Sequence, residues 1–284
     1  MKQDLSVLIS VSLPSSGAEL LRVARALAPP GRLHVHALHL WPADRVWADS
    51  FADLDDACAH PLEPLLAAAT DIEVEPHCFV SRDVGADVTA LARQTGADLV
   101  LMGWHRPVTS QSILSGPIAT VMQEAHSDVA VYMVRQFRPW RRVLVPYFGG
   151  PHDRGALELA RRIGVYSGLR LTLLHVVAPE RADDAPRLGL SEAASDFEAD
   201  GVHLKVIEST DPVETLVRET WLGYDLVVLG ASDVWGMEPK LFSTRHERLA
   251  FATPASLLVV RKFVPSKPGR PAHLLSEVPV RGTS

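Results

Sequence analysis

The 284-residue chain has only two cysteines, Cys58 and Cys78, and they form no Cys-x-x-Cys pair. So small a number provides no disulfide framework, and the two are expected as reduced thiols. Long apolar runs are missing too. The longest, such as Leu99–Trp104 and Val129–Val134, reach about six residues, where a membrane helix needs roughly eighteen. The start, Met1-Lys2-Gln3-Asp4, lacks the apolar stretch of a secretory signal. Positive charge is in deficit: the net charge is -6. That excludes the electrostatic footprint of broad nucleic-acid binding and of a polybasic membrane anchor. Direct membrane insertion is therefore not expected, and the chain is read as cytoplasmic.

What is present is ordinary for a globular protein. Hydrophobic residues make up 47% and charged residues 22%, which excludes global disorder and collagen-like structure. At roughly 100–200 residues per domain, the length suggests two domains.

An internal repeat supports that division. Ala97-Asp98-Leu99-Val100-Leu101-Met102-Gly103 recurs as Tyr224-Asp225-Leu226-Val227-Val228-Leu229-Gly230. At the same offset, Ala130–Val134 followed by Arg135 mirrors Leu257–Arg261 followed by Lys262, and Val7–Ser12 resembles Val143–Phe148. The expected boundaries are residues 1–137, 138–264 and a loose Pro-, Gly- and Ser-rich tail over 265–284.

Each half alternates short apolar runs with helical spacing. Strands are expected at Leu5–Val11, Leu33–Trp41, Val74–Val80, Leu99–Gly103 and Val129–Val134. Leu20, Val23, Ala24 and Leu27 fall on one helical face, and helical character recurs around Leu62–Ala69, from Val88 and from Ile118. The second half predicts strands at Val143–Pro146, Leu171–Val177, Leu204–Ile207, Leu226–Gly230 and Ser256–Arg261, with helices over Ala156–Gly164 and Val213–Trp221. Alternating β and α elements with near-continuous apolar strands imply an α/β fold: two tandem doubly wound parallel-sheet, Rossmann-like domains. Ligands in such sheets bind beyond the carboxyl ends of the strands, at the switch point. The apolar last strands, Ala130–Val134 and Leu257–Val260, invite edge pairing.

The residues Val143-Leu144-Val145-Pro146, Leu173-Leu174-His175-Val176-Val177, Asp211-Pro212 and the two Asp-Leu-Val…Gly strands resemble the universal stress protein family in its tandem form. Gly103-Trp104-His105-Arg106-Pro107, Met122-Gln123-Glu124-Ala125 and Pro151-His152-Asp153-Arg154 are similar to the stress-protein-like tails of bacterial cation/proton antiporters. The resemblance implies an adenine-nucleotide alpha hydrolase-like fold, edge pairing of the two halves as a pseudo-twofold pair, and a stress-response role. With the antiporter's membrane half absent from the sequence, it implies a stand-alone relative.

ATP-binding members of that family carry Gly, two residues, Gly, nine residues, Gly, then Ser or Thr after the fourth strand. Glycines there let backbone N–H groups approach phosphates at a helix start. The matching positions here are Gly103, Arg106, Gly116 and Pro117, then Gly230, Asp233, Ser243 and Thr244. Neither set is intact, and Asp233 would repel a phosphate. The family's adenine-side Asp corresponds to Ser12 and Phe148. The resemblance implies nucleotide contacts at Ser12, Gly103, His105, Arg106, Ser115 and Gly116 in the first half, and at Gly149, Gly230, Ser232, Ser243 and Thr244 in the second. The ligand would be ATP, AMP or a cyclic dinucleotide, with His105 and Arg106 supplying cationic contacts. The competing reading is a decayed motif whose turns are merely turns.

Other constellations are weaker. Gly149-Gly150-Pro151-His152-Asp153 is a near miss for a pyrophosphate loop, and Asp153 reads better as a helix-start cap. His34-x-His36 puts two imidazoles on one strand face with no visible completing ligand, so no metal is assigned; His39 faces the other way. His175 reads as a hydrogen-bonded core histidine. The acidic run Asp49, Asp53, Asp55 and Asp56 does not fit a calcium loop. There is no Gly-x-Ser-x-Gly elbow, and no catalytic residue is assigned. Trp104 and Trp235, in the turns after the fourth strands, read as core filler or interface anchors. The expected function is a non-enzymatic cytosolic regulatory or sensor module, nucleotide-responsive in the first half and able to act on a cation/proton antiporter or another protein, with a homodimer as a further pairing. The alternatives are an ATP-cleaving or adenylyl-transferring enzyme and a purely structural interaction domain.

Overall fold

The structure, a computed structural model, describes residues 4–43, 54–104, 116–135, 137–177, 179, 202–231 and 244–265. In the first half these form β1 (Leu5–Ser10), α1 (Pro14–Arg25), β2 (Leu33–Pro42), α2 (Leu54–Ala68), β3 (Val74–Ser81), α3 (Val84–Gln94), β4 (Leu99–Gly103), α4 (Pro117–Glu124) and β5 (Asp128–Met133). The second half gives β6 (Arg142–Pro146), α5 (Pro151–Ser167), β7 (Arg170–Val177), β8 (Val202–Glu208), α6 (Pro212–Thr220), β9 (Leu226–Gly230), α7 (Thr244–Ala252) and β10 (Ser256–Arg261).

All ten strands lie in one sheet, in the order β3-β2-β1-β4-β5-β10-β9-β6-β7-β8. Within each half the pairing is parallel and the order is the same. The halves meet where β5 and β10 run antiparallel, with Val131 opposite Val259 and Tyr132 opposite Leu258. Equivalent apolar edges thus cover one another, because an open apolar edge exposes unpaired backbone groups.

Strand alternation divides the core into two layers. On one face Val7, Ile9, Val35, Leu101, Val143, Val145 and Val228 pack under α1, α2 and α5. On the other, Leu8, Leu38, Val100, Leu144, Val227 and Val259 pack under α3, α4, α6 and α7. Each layer runs across both halves, so burial welds them together.

The repeated polar residues do repeated structural work. Asp98 Oδ2 accepts from the backbone N–H of Ser6 at the start of β1. Its counterpart Asp225 Oδ2 accepts from the N–H groups of Arg141 and Arg142 at the start of β6. Asp83 and Asp211 cap α3 and α6 alike, each accepting a backbone N–H at 3.0 Å, from Ala86 and Glu214. Such caps satisfy donors that a helix start leaves orphaned.

Cations at the ends of the central strands clamp the halves. Arg261 is buried and donates to three first-half carbonyls: Nε to Met122 (2.7 Å), Nη1 to Ser127 (3.0 Å) and Nη2 to Ala125 (2.6 Å). It thereby closes the C-terminal end of α4, where the helix dipole favours a positive charge. Arg135 Nη2 reciprocates on the Ala250 carbonyl in α7, while its N–H donates to Ser256 Oγ. Lys262 Nζ bridges Asp128 and Glu158 at 3.0 and 2.9 Å.

Two expectations change. Cys78, on the face of β3 that turns toward α2, is disulfide-bonded, and no described cysteine is free. The reading of reduced thiols is corrected: sequence spacing carries no information on proximity across packed layers. Helix α2 also begins earlier than the spacing from Leu62 indicates and runs through Pro61 and Pro64.

Candidate functional site in the first half

The switch point of the first half lies between the carboxyl ends of β1 and β4, because β2 and β4 flank β1 on opposite sides. A cleft of 330 Å³ opens there, a volume at the small end of the range typical for ligand sites. Ser15, Ser16 and Leu20 of α1, Gly103 and Trp104 after β4, Tyr132 and Val134 of the β5 end, and Arg135 and Phe137 line it.

The lining is held from several sides. Trp104 N–H donates to the Tyr132 carbonyl at 2.9 Å, extending the β4–β5 ladder past Gly103. Its ring is buried and meets Phe251 of α7 edge-on at 6.4 Å. Core filling and contact between halves are therefore one role for Trp104, not two. The Tyr132 hydroxyl accepts from Arg22 Nη2 at 3.1 Å, and burial pushes its pKa above the usual phenol value. Arg22 in turn lies over the Trp140 ring at 4.5 Å. Helix α1 begins after Leu13 without a side-chain cap; Pro14 has no N–H to satisfy, and the Ser16 N–H donates to the Leu13 carbonyl at 3.0 Å.

The residues assigned to the nucleotide sites separate into three groups. Gly103 lines the cleft, and Ser12 is exposed on the loop just outside it. Gly116 is the N-cap of α4 with φ 61° and ψ -139°, a backbone state that needs glycine, and nothing lies within 4 Å of where its Cβ would stand. His105, Arg106, Ser115, Ser232 and Ser243 lie outside the described residues, as do Asp233, Trp235, Asp49, Asp53 and the tail from 266 onward. Thr244 begins α7.

In the second half the start of α5 packs closely against the end of β9. Gly149 has φ 97° and turns the chain so that α5 starts directly over the end of β9. A Cβ on Gly230 would come within 2.4 Å of Asp153 Oδ1 and 2.6 Å of the Asp153 nitrogen. Gly230 here serves close packing. Asp153 Oδ2 accepts the N–H groups of Phe148 and Gly150 at 3.0 and 3.2 Å, the cap that its sequence position indicates. Asp153 is fully buried, and desolvation raises its carboxyl to about 6 despite those donors. Phe148, at the adenine-side position, leans on the His175 ring at 6.0 Å.

Sequence reasoning missed one cluster. His36 on β2 is joined by Glu75 and His77 on β3. His34-x-His36 was the visible half of the signal; the other half depends on the β2–β3 register, which pairs His36 with Glu75.

With the geometry in place, comparison with known proteins identifies the fold. The structure superposes on a universal stress protein from Archaeoglobus fulgidus with a TM-score of 0.64 at 16% identity, over 91% of this chain and 96% of the other. It superposes on the cytoplasmic domain of a prokaryotic cation chloride cotransporter with a TM-score of 0.62 at 12% identity, again over 91% and 96%. The fold is that of the tandem universal stress proteins. In sequence the chain is similar to the Na(+)/H(+) antiporter NhaS5 of Synechocystis, 28% identical over 183 residues. That match takes in 59% of this chain and spans a quarter of the antiporter's length, 25%. No family model matches the chain. No helix among the described residues is long and apolar enough to cross a membrane.

Proposed function

We propose that the chain is a non-enzymatic, cytosolic regulatory module that acts on a cation/proton antiporter and responds to an adenine nucleotide held in the first half. The 183-residue likeness to an antiporter carries the transport part of this reading. A transporter's cytoplasmic domain with the same tandem fold supports it. For the nucleotide part, support comes from a cleft at the switch point with Gly103 in its lining and from Gly116 in a positive-φ state at the start of α4. The second half, where the first turn of α5 packs closely on Gly230, is assigned to protein contact.

Calorimetric titration of the full chain with ATP, ADP, AMP and cyclic di-AMP tests the ligand. One saturable equivalent is expected, lost in Gly116→Val and retained in Gly149→Val. No saturable binding of any of the four overturns the sensor reading. ATP left intact after prolonged incubation is expected; turnover would move the chain to the enzymes. Everted vesicles carrying a cation/proton antiporter, assayed with and without the chain, test the partner. A shift in half-saturating cation concentration is expected, and identical antiport defeats that assignment.

A further inference from the structure

The structure assigns a divalent transition-metal site, of the zinc type, to His36, Glu75 and His77 at the outer shoulder of the first half. It is independent of the nucleotide reading and lies on other elements. Among the described residues β3 is the terminal strand of the sheet, and β2 is its only neighbour. Register places His36 beside Glu75 and Leu38 beside His77, so all three polar side chains emerge on the α3 side of the same two strands.

The distances match a coordination polyhedron. His36 Nδ1 stands 3.2 Å from His77 Nε2 and 3.2 Å from Glu75 Oε2. His77 Nε2 stands 3.7 Å from Glu75 Oε1. Ligand atoms about 2.05 Å from a tetrahedral zinc ion are about 3.3 Å from one another, the edge of the tetrahedron. The two imidazoles meet different oxygens of Glu75, and with one ligand atom taken from each residue all three lie within 4.8 Å of one another, so a small turn of the carboxylate completes one face of such a polyhedron and leaves the fourth position to water. Two imidazoles and one carboxylate suit zinc and its late first-row neighbours, whereas magnesium and calcium prefer oxygen donors throughout.

Burial favours order over a chance meeting of surface chains. The His36 and His77 side chains are only 17% and 20% exposed, while Glu75, at 64%, keeps the site open to solvent. The second half supplies an internal comparison. The register of β7 and β8 puts Thr172, His203 and Lys205 at the corresponding places. There Lys205 Nζ is bound to both Glu219 carboxylate oxygens at 2.8 and 2.9 Å. One half has a donor set for a cation where the other carries a built-in ammonium on the same shoulder.

The test uses the untagged full chain, stripped with chelator and titrated calorimetrically with Zn²⁺, and separately with Co²⁺ followed by visible absorption. One tight equivalent is expected, with the intense visible bands of tetrahedral Co²⁺. His36→Asn, Glu75→Gln and His77→Asn should each lower affinity at least about tenfold, since even residues that only support a ligand cost that much. His203→Asn should leave affinity unchanged. Melting of each variant without metal checks that it folds; if a histidine variant does not, Glu75→Gln carries the test, because it removes the charge and little volume. No tight equivalent, binding that survives all three substitutions, or a loss no greater than that in His203→Asn overturns the assignment.

Discussion

His39 and His175 make the same bond 136 positions apart. Nδ1 of His39 meets the Val11 carbonyl at 2.8 Å, and Nδ1 of His175 meets the Tyr147 carbonyl at 2.7 Å. A carbonyl only accepts, so each imidazole carries its proton on Nδ1. Each ring ties the second strand of its half to the loop leaving the first, beside the switch point. Burial lowers the His39 pKa below its ordinary 6.5. The unfolded chain therefore takes up that proton first on acidification. The stability that neutral His39 provides is complete above pH 6.5 and is lost as pH falls through the lowered value. His39→Gln should flatten that slope, measured as urea midpoints across the range.

Asp153 pushes the other way. Its carboxyl is raised to about 6 from 3.8, so the folded state holds the proton longer than the unfolded chain does. Its contribution is full below pH 3.8 and is lost as pH rises through about 6. Asp153→Asn should gain on the parent by about 3 kcal/mol between pH 4 and pH 7, the worth of a shift of roughly two units. Denaturant melts of both proteins at the two pH values measure the difference. An unchanged difference would mean that the carboxylate is solvated.

Two glycines should fail for different reasons. Gly230→Ala drives a Cβ into the first turn of α5 at 2.4–2.6 Å, and backbone there cannot step aside cheaply. A loss of about 3 kcal/mol is expected from overpacking of this kind. Gly116→Ala meets nothing within 4 Å but must adopt φ 61°, so only about 1–3 kcal/mol of backbone strain is expected. Thermal melts rank them. Equal losses would show that the α5 turn yields.

Arg261→Lys should be costly although it keeps the charge. One ammonium cannot reach the Met122, Ala125 and Ser127 carbonyls that the planar guanidinium serves together. Each buried carbonyl left without a donor costs about 1–3 kcal/mol, so a loss of roughly 3 kcal/mol or more is expected. Calorimetric melting checks it, and a near-neutral variant would show that water replaces the arginine.

Much of the fold was legible because the second half restates the first. The Asp-Leu-Val strands are correct to the residue at Leu99–Gly103 and Leu226–Gly230. Helix α2 was half hidden, since Pro61 and Pro64 read as breakers. The site was less legible. His36 was visible, but Glu75 and His77 join it only through strand register, which no local pattern specifies. The packing of α5 on Gly230 was equally hidden. Gly230 looks like its counterpart Gly103 in sequence, and no local pattern shows that α5 starts against it.

The antiparallel seam between β5 and β10 has an evolutionary corollary. Two separate copies would hold such a seam only above their dissociation constant. Covalent linkage fixes the local concentration of one edge around the other, so dilution in the cell does not part them. Freed from having to recognise an identical twin, each half could drift alone.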